Sequence, residues 1–306
     1  MLTAKLKQWP YNQERVVHIE AMKLTCHLCH HACQLGEGET GFCKARGNRG
    51  GRLTSLSYGL LTSVALDPIE KKPLYHFHPG SRILSVGSFG CNLACPFCQN
   101  YSISQAGEGE FCFEEQEAGL RAYHLPPEEL VALALDTGKK HGNIGVAFTY
   151  NEPLMNYEYL RESAALLKEA GLKTVLVSNG ELSPEPFRKL LPLLDAANID
   201  LKGFTPEFYQ WVGGDFEEVK ANIRAAHEAG CHVEITTLVI PGRNDGEAEM
   251  AQEAQWLAGL SPEIPLHLSR YFPRYKLNVP STPIKTLERL REIAGEFLRY
   301  VYLGNV

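Results

Sequence analysis

The sequence predicts an α/β fold, a partial (β/α)6 barrel that follows a small N-terminal cysteine-rich segment. Three observations favour this fold. Short β-branched runs alternate with amphipathic helical stretches, capping residues separate the two kinds of run, and polar residues or cysteines follow the predicted strands. Such alternation gives a parallel sheet with right-handed crossover connections. The cysteine-rich segment, a candidate metal knuckle, is predicted to span residues 1–80 and the barrel residues 81–306.

Six runs are predicted to form the strands of this sheet: Ile83–Val86, Ile144–Thr149, Thr174–Ser178, Ala197–Leu201, His232–Ile240 and Leu266–Tyr271. The helices between them carry terminal signals. The pair Ser183–Pro184 is predicted to begin one helix, and Asp215 with Glu218 forms a capping-box-like start to another. Gly171 and Gly230 are predicted to end two more. Six βα units predict an incomplete barrel rather than the closed eightfold one.

Composition narrows the class of protein. With 306 residues, 44% hydrophobic and 22% charged, the chain is long enough for one large α/β domain and a small appendage. A net charge of −6 without a basic block argues against nucleic acid as a partner. The sequence shows neither the apolar core of a signal peptide nor an apolar run that could span a bilayer. Nine mostly clustered cysteines favour metal ligation in a reducing compartment over disulfides, so a cytoplasmic enzyme is expected.

Cys91, Cys95 and Cys98 form the pattern C-x-x-x-C-x-x-C. Because four thiolates normally hold a four-iron cluster, a compact trio leaves one iron free. The spacing predicts a [4Fe–4S] cluster whose open iron chelates the amino and carboxylate groups of S-adenosylmethionine (SAM). One electron passed to the sulfonium would break a C–S bond and give a 5′-deoxyadenosyl radical. This is the radical SAM signature, and Phe97 supplies the aromatic residue before the last cysteine. The alternatives are a zinc site completed by a distant ligand, or three buried thiols.

The carboxyl ends of the predicted strands carry the other notable residues. Barrel enzymes place their chemistry at that end of the strands. The cysteine trio follows the first predicted strand, and the later strands end in or carry Tyr150–Pro153, Ser178–Gly180, Asp200–Lys202, Ile240–Gly242 and His267–Arg270. These residues are therefore expected to surround one site.

Five runs resemble a known family. They are Lys71–Gly80, Cys98–Asn100, Phe148–Pro153, Asn198–Gly203 and Tyr302–Val306. The chain resembles, over almost its whole length, the radical SAM enzymes of the AmmeMemoRadiSam system, which are relatives of the pyruvate formate-lyase activating enzymes. The resemblance implies a partial radical SAM barrel, a [4Fe–4S] cluster and SAM.

The resemblance also implies contacts with the methionine moiety of SAM. Asn151 and Glu152 occupy the place of a Gly-Gly-Glu element that receives the SAM ammonium. The alternative is a glutamate that caps the following helix. Ser178 and Asn179 resemble the end of an Asp-Thr-Asn element, but Val177 stands where the activating enzymes have an aspartate that helps hold a monovalent cation.

Further residues align with groups that bind the rest of SAM. Asp200, Lys202 and His267 align with residues that hydrogen-bond the ribose and the carboxylate, for which a carboxylate and an ammonium are suited. For His267 the alternative is a satisfied core histidine. Pro241 would pack against the adenine, or belong to a plain turn.

A second cysteine group consists of Cys26, Cys29, Cys33 and Cys43. Four thiolates in one small segment can close a tetrahedral zinc site or anchor another cluster. Structural zinc is the first expectation, with an auxiliary iron–sulfur cluster and an unmetallated thiol group as the alternatives.

Three functions follow from these predictions. The first is a radical SAM enzyme acting on a small molecule or a peptide. It would use an external electron donor of the ferredoxin or flavodoxin type and the AMMECR1-like and Memo-like companions that the family name implies. The second is an activase that abstracts hydrogen from a glycyl-radical enzyme. The third, a non-catalytic iron–sulfur electron carrier, ranks last because it needs no SAM-binding residues at five strand ends.

Overall fold

The computed structural model describes residues 23–112 and 120–306, so the first 22 residues of the predicted cysteine-rich segment lie outside the described residues. The N-terminal part contains five short strands, Leu24–Thr25 (β1), Gln34–Leu35 (β2), Arg46–Arg49 (β3), Arg52–Ser55 (β4) and Leu60–Leu61 (β5). β1 pairs with β2 and β3 with β4, both antiparallel. The β1–β2 pair encloses the loop with Cys26, Cys29 and Cys33, and Cys43 lies between β2 and β3.

The central sheet has eight strands. Three further short strands, which are not part of it, lie in the connection that follows its second strand in the chain. In chain order the strands are Ser63–Pro68 (β6), Arg82–Gly87 (β7), Phe111–Cys112 (β8), Leu120–Arg121 (β9), Tyr123–His124 (β10), Asn143–Phe148 (β11), Lys173–Ser178 (β12), Ala196–Asp200 (β13), His232–Val239 (β14), Leu266–Arg270 (β15) and Val301–Gly304 (β16). The central sheet has the order β16-β15-β14-β13-β12-β11-β7-β6. Its pairings are parallel except for β6, which runs antiparallel to β7.

The helices are Tyr101–Ser104 (α1), Pro127–His141 (α2), Tyr157–Glu169 (α3), Pro184–Leu190 (α4), Pro206–Val212 (α5), Phe216–Glu228 (α6), Glu247–Leu260 (α7) and Ile284–Gly295 (α8). The predicted terminal signals are confirmed. α4 begins directly after Ser183, and the Asp215 carboxylate accepts hydrogen bonds from the first-turn backbone of α6 at 2.9 and 3.0 Å. Gly171 and Gly230, with φ of +71° and +78°, follow α3 and α6. Among the described residues, every helix is too short or too polar to cross a bilayer.

All six predicted strands are present, and two more join them. β16 adds a parallel strand at one edge, and β6 closes the other edge. β6 lies within the segment predicted to end at residue 80, so residues from 63 onward pack with the barrel. β6 carries Asp67 and Pro68, and β16 has only four residues, so neither gives a strong strand pattern.

Alternation along the strands divides the core into an outer and an inner part. Val146 of β11 packs among the helix residues outside the sheet, whereas Ala147 faces the interior together with Val175 of β12. Ile69 and Leu74 fill that interior. The segment of residues 69–81, between β6 and β7, therefore fills the barrel from within and is called the plug below.

Glu234 of β14 ties this plug to the sheet. Its carboxylate accepts hydrogen bonds from the backbone N–H groups of Tyr75 at 3.0 Å and His76 at 2.8 Å. The ring nitrogens of His232 and His267 lie 2.9 and 2.7 Å from the same carboxylate. Four partners therefore satisfy one fully buried side chain.

Candidate active site

A cavity of about 360 Å³ lies at the carboxyl edge of the parallel strands. It brings together ten of the residues predicted from the sequence: Cys91, Cys95, Phe97, Cys98, Asn151, Glu152, Ser178, Asn179, Asp200 and Lys202. Val177, at the position where the activating enzymes have an aspartate, also lines the wall.

The cysteine loop after β7 presents three thiols to this cavity. Cys95 is buried, and Cys91 and Cys98 are partly exposed. Two N–H groups approach the Cys91 sulfur, the backbone of Leu93 at 3.3 Å and the side-chain amide of Asn179 at 3.8 Å. Such donors favour the thiolate form. Three thiols on one wall, with no fourth cysteine among the described lining residues, fit a four-iron cluster that keeps one iron open.

Phe97 packs against a neighbouring helix and so holds this loop in place. Its ring is 3% exposed and packs with Phe208 and Trp211 of α5, at centroid distances of 6.2 and 5.4 Å. The backbone N–H of Ala94 donates to the carbonyl of Val212 at 2.8 Å. The aromatic position before the last cysteine thus anchors the loop to a neighbouring helix.

Asn151 and Glu152 hold the backbone around the loop. The Asn151 amide accepts from Ser88 N–H at 2.8 Å and donates to the Gly90 carbonyl at 3.0 Å. Glu152 is 2% exposed and accepts from Leu154 N–H at 3.0 Å, Ser178 Oγ at 2.7 Å and Asn179 N–H at 2.8 Å. It caps the short helical turn Pro153–Asn156, which is the alternative considered from the sequence. Burial outweighs these hydrogen bonds and raises the pKa of Glu152 to about 7.

Replacing Glu152 with glutamine is expected to destabilise the fold. The amide would place an NH2 group, which cannot accept, toward groups that themselves donate, whereas a carboxyl group keeps an accepting oxygen at both positions even when protonated, so we expect a loss of about 1–3 kcal/mol in the free energy of unfolding. The raised pKa adds a pH signature. The stability linked to proton uptake by Glu152 is fully present below its ordinary pKa near 4.5 and is lost as the pH rises through about 7. The difference between wild type and variant should therefore be larger at pH 5 than at pH 7.5.

Urea unfolding at both pH values measures this difference, and Glu169→Gln on the exposed end of α3 is the matched control. Equal midpoints for Glu152→Gln and Glu169→Gln would contradict the structural role of Glu152.

Asp200 and Lys202 form an ion pair on the cavity wall. Lys202 Nζ lies 2.6 Å from Asp200 Oδ2, and the two side chains are 18% and 32% exposed. Burial disfavours the ammonium, but Asp200 and the thiols of Cys95 and Cys98 raise the pKa of Lys202 above its ordinary value. The wall therefore offers a fixed positive group beside a carboxylate.

Pro241 and His267 do not line the cavity. Pro241 lies in the turn that follows β14. His267 is 4% exposed, and its strand neighbour in β14 is Thr236. Its ring bonds instead to Glu234, which lies two residues before Thr236. The attraction of that carboxylate draws the imidazole away from the cavity, so His267 has the surroundings of a satisfied core histidine. Ser269 of β15 lines the wall instead.

Sequence reasoning missed several other lining residues. Lys72 is one of them; it and Tyr150, which the strand-end prediction included, both line the cavity and both donate to Asp67 Oδ2 at 2.9 Å. Burial alone raises the pKa of Asp67, but these two partners and Lys71 hold it well below its usual range. Asn305, beyond β16, lines the far side and donates to Ser269 Oγ at 2.9 Å. The runs Lys71–Gly80 and Tyr302–Val306 contain the signal for these positions, because both carry the family resemblance.

The N-terminal cysteines surround a second, small cavity behind the cysteine loop. Cys26, Cys29 and Cys43 are buried and Cys33 is partly buried. The backbone N–H of Cys91 donates to the Cys43 carbonyl at 3.1 Å. The two cysteine groups are therefore in direct backbone contact.

Comparisons with known proteins agree with this geometry. The Radical SAM superfamily model matches residues 85–254. An uncharacterised protein of Methanocaldococcus jannaschii is 40% identical over 288 residues, covering 93% of this chain and 82% of that protein. The 7-carboxy-7-deazaguanine synthase of the same organism is 25% identical, covering 72% of this chain and 87% of that protein. A radical SAM methyltransferase structure from Sphaerobacter thermophilus aligns with a TM-score of 0.56 at 19% identity, covering 74% of this chain and 67% of that one. Fold, cysteine loop and family model agree, and the chain belongs to the radical SAM superfamily of enzymes.

Proposed function

We propose that this chain reductively cleaves SAM at a [4Fe–4S] cluster held by Cys91, Cys95 and Cys98, and that the resulting 5′-deoxyadenosyl radical abstracts hydrogen from a small-molecule or protein substrate. One observation carries the proposal: a single cavity joins three thiols to an ion pair and to amide groups at the carboxyl edge of a parallel sheet. The superfamily implies the cluster and SAM, and radical SAM enzymes need an external one-electron reductant. We propose a donor of the ferredoxin or flavodoxin type and a cytoplasmic location.

The remaining lining residues bind and orient SAM in this proposal. Lys202 offers an ammonium to the SAM carboxylate, and Asp200 offers an acceptor to the ribose hydroxyls. Glu152 already has hydrogen-bond partners within the protein. It is nevertheless the carboxylate of the cavity wall to which we assign the binding of the SAM ammonium. Ser178 and Asn179 hold Glu152 in place, and Asn179 also reaches Cys91. Asn151 and Phe97 keep the loop in position.

We further propose that the chain acts in the AmmeMemoRadiSam system, with AMMECR1-like and Memo-like companions. Two runs that carry this resemblance contribute to the cavity, through Lys71 and Lys72 at one side and Asn305 at the other. Positions that carry the resemblance therefore line the cavity in which SAM is proposed to bind, which supports the proposal. Co-elution of the three purified proteins on size exclusion would support the partnership, and separate elution at micromolar concentrations would contradict it.

The reaction itself is tested by deuterium transfer. The reconstituted protein is reduced with flavodoxin in the presence of SAM and deuterated candidate substrates, and 5′-deoxyadenosine is analysed by mass spectrometry. Label in 5′-deoxyadenosine identifies the hydrogen donor. A glycyl-radical signal formed only with a glycyl-radical enzyme would favour the activase alternative. An absence of SAM cleavage with a full cluster would leave the electron carrier and overturn the proposal.

Replacing Lys202 with methionine is expected to weaken SAM binding. Loss of one charge-assisted contact costs ~1.5–3 kcal/mol, which corresponds to a loss of affinity of roughly ten- to a hundred-fold. Isothermal titration of the cluster-loaded protein measures it. Asp200→Asn tests the other half of the pair and is expected to lose affinity to a similar degree.

Lys173→Met is the matched control, because Lys173 pairs with Asp195 at 2.8 Å at the opposite, amino end of the strands. Undiminished SAM affinity in both Lys202→Met and Asp200→Asn would assign this pair to structure alone.

A further inference from the structure

The spacing of the N-terminal thiols distinguishes between the metals that four cysteines can hold. In a tetrahedral zinc site, Zn–S bonds of about 2.3 Å place the sulfurs roughly 3.8 Å apart. Among the described residues, His30, Glu181 and Glu218 are the group whose ligand atoms lie within 4.8 Å of one another. No three of the Cys26, Cys29, Cys33 and Cys43 sulfurs meet that spacing. The four sulfurs therefore do not form the compact set that a single zinc ion requires.

The cysteine trio of the active site provides an internal comparison. Cys91, Cys95 and Cys98 also fail to bring their sulfurs within 4.8 Å of one another, although their loop has the radical SAM spacing. A four-iron cluster places its irons at the corners of a cube, so its thiolates stand further apart than those around a single ion. Like the trio, the N-terminal group falls outside single-ion spacing, and it has the fourth thiol that the trio lacks.

The four thiols lie in a buried and largely apolar setting. They line one cavity together with the apolar side chains of Leu28, Leu35 and Met155. The cavity, about 10 Å³, has room for a water-sized sphere. Sulfurs bonded to one central zinc ion would leave no such room, because they would stand only about 2.3 Å from the centre.

Arg46 brings a positive charge to this cavity. Its side chain is 7% exposed, and its terminal nitrogens bond to the Glu158 carboxylate at 2.6 and 2.8 Å. Its Nε is buried without a hydrogen-bond acceptor, although the Cys26 thiol is beside the guanidinium. A buried donor without an acceptor is costly, and a sulfur anion in the cavity would supply the acceptor. The backbone N–H of Phe42 already donates to Cys33 Sγ at 3.5 Å.

We propose that Cys26, Cys29, Cys33 and Cys43 hold an auxiliary [4Fe–4S] cluster. All four irons have protein ligands, so this cluster does not bind SAM. It lies directly behind the active-site loop, because Cys91 N–H donates to the Cys43 carbonyl. Gly90 keeps the two loops in contact: a Cβ there, at φ +85°, would lie 2.5 Å from that carbonyl oxygen. The two clusters are therefore neighbours that interact magnetically when both are reduced.

The test removes the active-site trio and analyses what remains. The Cys91→Ala/Cys95→Ala/Cys98→Ala variant, purified anaerobically, should contain about four irons and four sulfides per chain. It should give a reduced-cluster EPR signal that SAM does not change. Adding Cys33→Ser to this variant should lower the iron content at least two-fold, whereas adding Cys231→Ser, at a buried thiol outside both groups, should not.

One zinc without sulfide in the triple variant, or no metal in a folded chain, would overturn the proposal. If the triple variant does not fold, the wild type decides. About eight irons and a spin-coupled EPR signal support two clusters, whereas about four irons with zinc contradict them. None of these readouts depends on SAM cleavage, so the proposed function can fail while this inference stands.

Discussion

Replacing Cys95 with alanine should abolish the cleavage of SAM to methionine and 5′-deoxyadenosine. Cys95 is 7% exposed, lies between the other two cysteines in the sequence and lines the cavity with them. The variant has only two thiolates for the cluster. The described residues that line the cavity include no further cysteine that could replace the lost ligand. Without an intact cluster the cavity retains Lys202 and Asp200 but has no group that passes the electron from the external donor to the sulfonium. We expect cleavage to fall to the level of a control without protein.

Chromatography of the reduced reaction mixture measures 5′-deoxyadenosine, and EPR measures the change that SAM causes in the cluster signal. Cys231→Ala controls for loss of a buried thiol elsewhere, because Cys231 follows α6 and is far from either cysteine group in the sequence. It should retain wild-type cleavage. Cleavage by Cys95→Ala at the wild-type rate would remove this loop from the active site.

Replacing Glu234 with alanine should cause a large loss of stability. The carboxylate has no exposed surface and satisfies two backbone N–H groups and two imidazoles. Removing it leaves these donors, among them the buried His267 imidazole, without their acceptor and frees the plug that fills the barrel. The loss of one partner from a buried charged network costs about 3–5 kcal/mol. We expect the free energy of unfolding to fall by that amount.

The effect should depend on pH. Burial alone raises the pKa of Glu234, but the hydrogen bonds from His232, His267 and the plug backbone lower it to about 2. Its contribution is therefore present above the ordinary pKa near 4.5 and is lost as the pH falls through about 2. Denaturant unfolding at pH 7 and at pH 3 should show a smaller difference between wild type and variant at the lower pH.

Glu263→Ala is the control, since Glu263 forms an exposed pair with Arg299 that contributes about 0–1 kcal/mol. A Glu234→Ala protein as stable as Glu263→Ala would show that the plug is held by apolar packing alone.

Much of the fold could be predicted from local sequence patterns. The six predicted strands agree with the structure to within one residue at each end, since period-two alternation and turn residues are properties of neighbouring positions. Asp215 caps its helix as expected, because that contact spans three residues. β6 was not predicted, because this edge strand is formed by its pairing with β7 more than by its own residue pattern.

The sequence by itself determined the parallel α/β architecture, the cysteine loop and the edge of the sheet that carries the site. Tertiary structure decided which side chains face the cavity. Glu234 lies 33 residues from His267 yet holds its imidazole, and Tyr150 reaches Asp67 across 83 residues. It also decided the spacing of the N-terminal thiols, which C-x-x-C patterns leave open to zinc or to a cluster. The physical reason is that local periodicity depends on neighbours in the chain, whereas side-chain direction and sulfur separation depend on partners that only strand register and loop packing bring together.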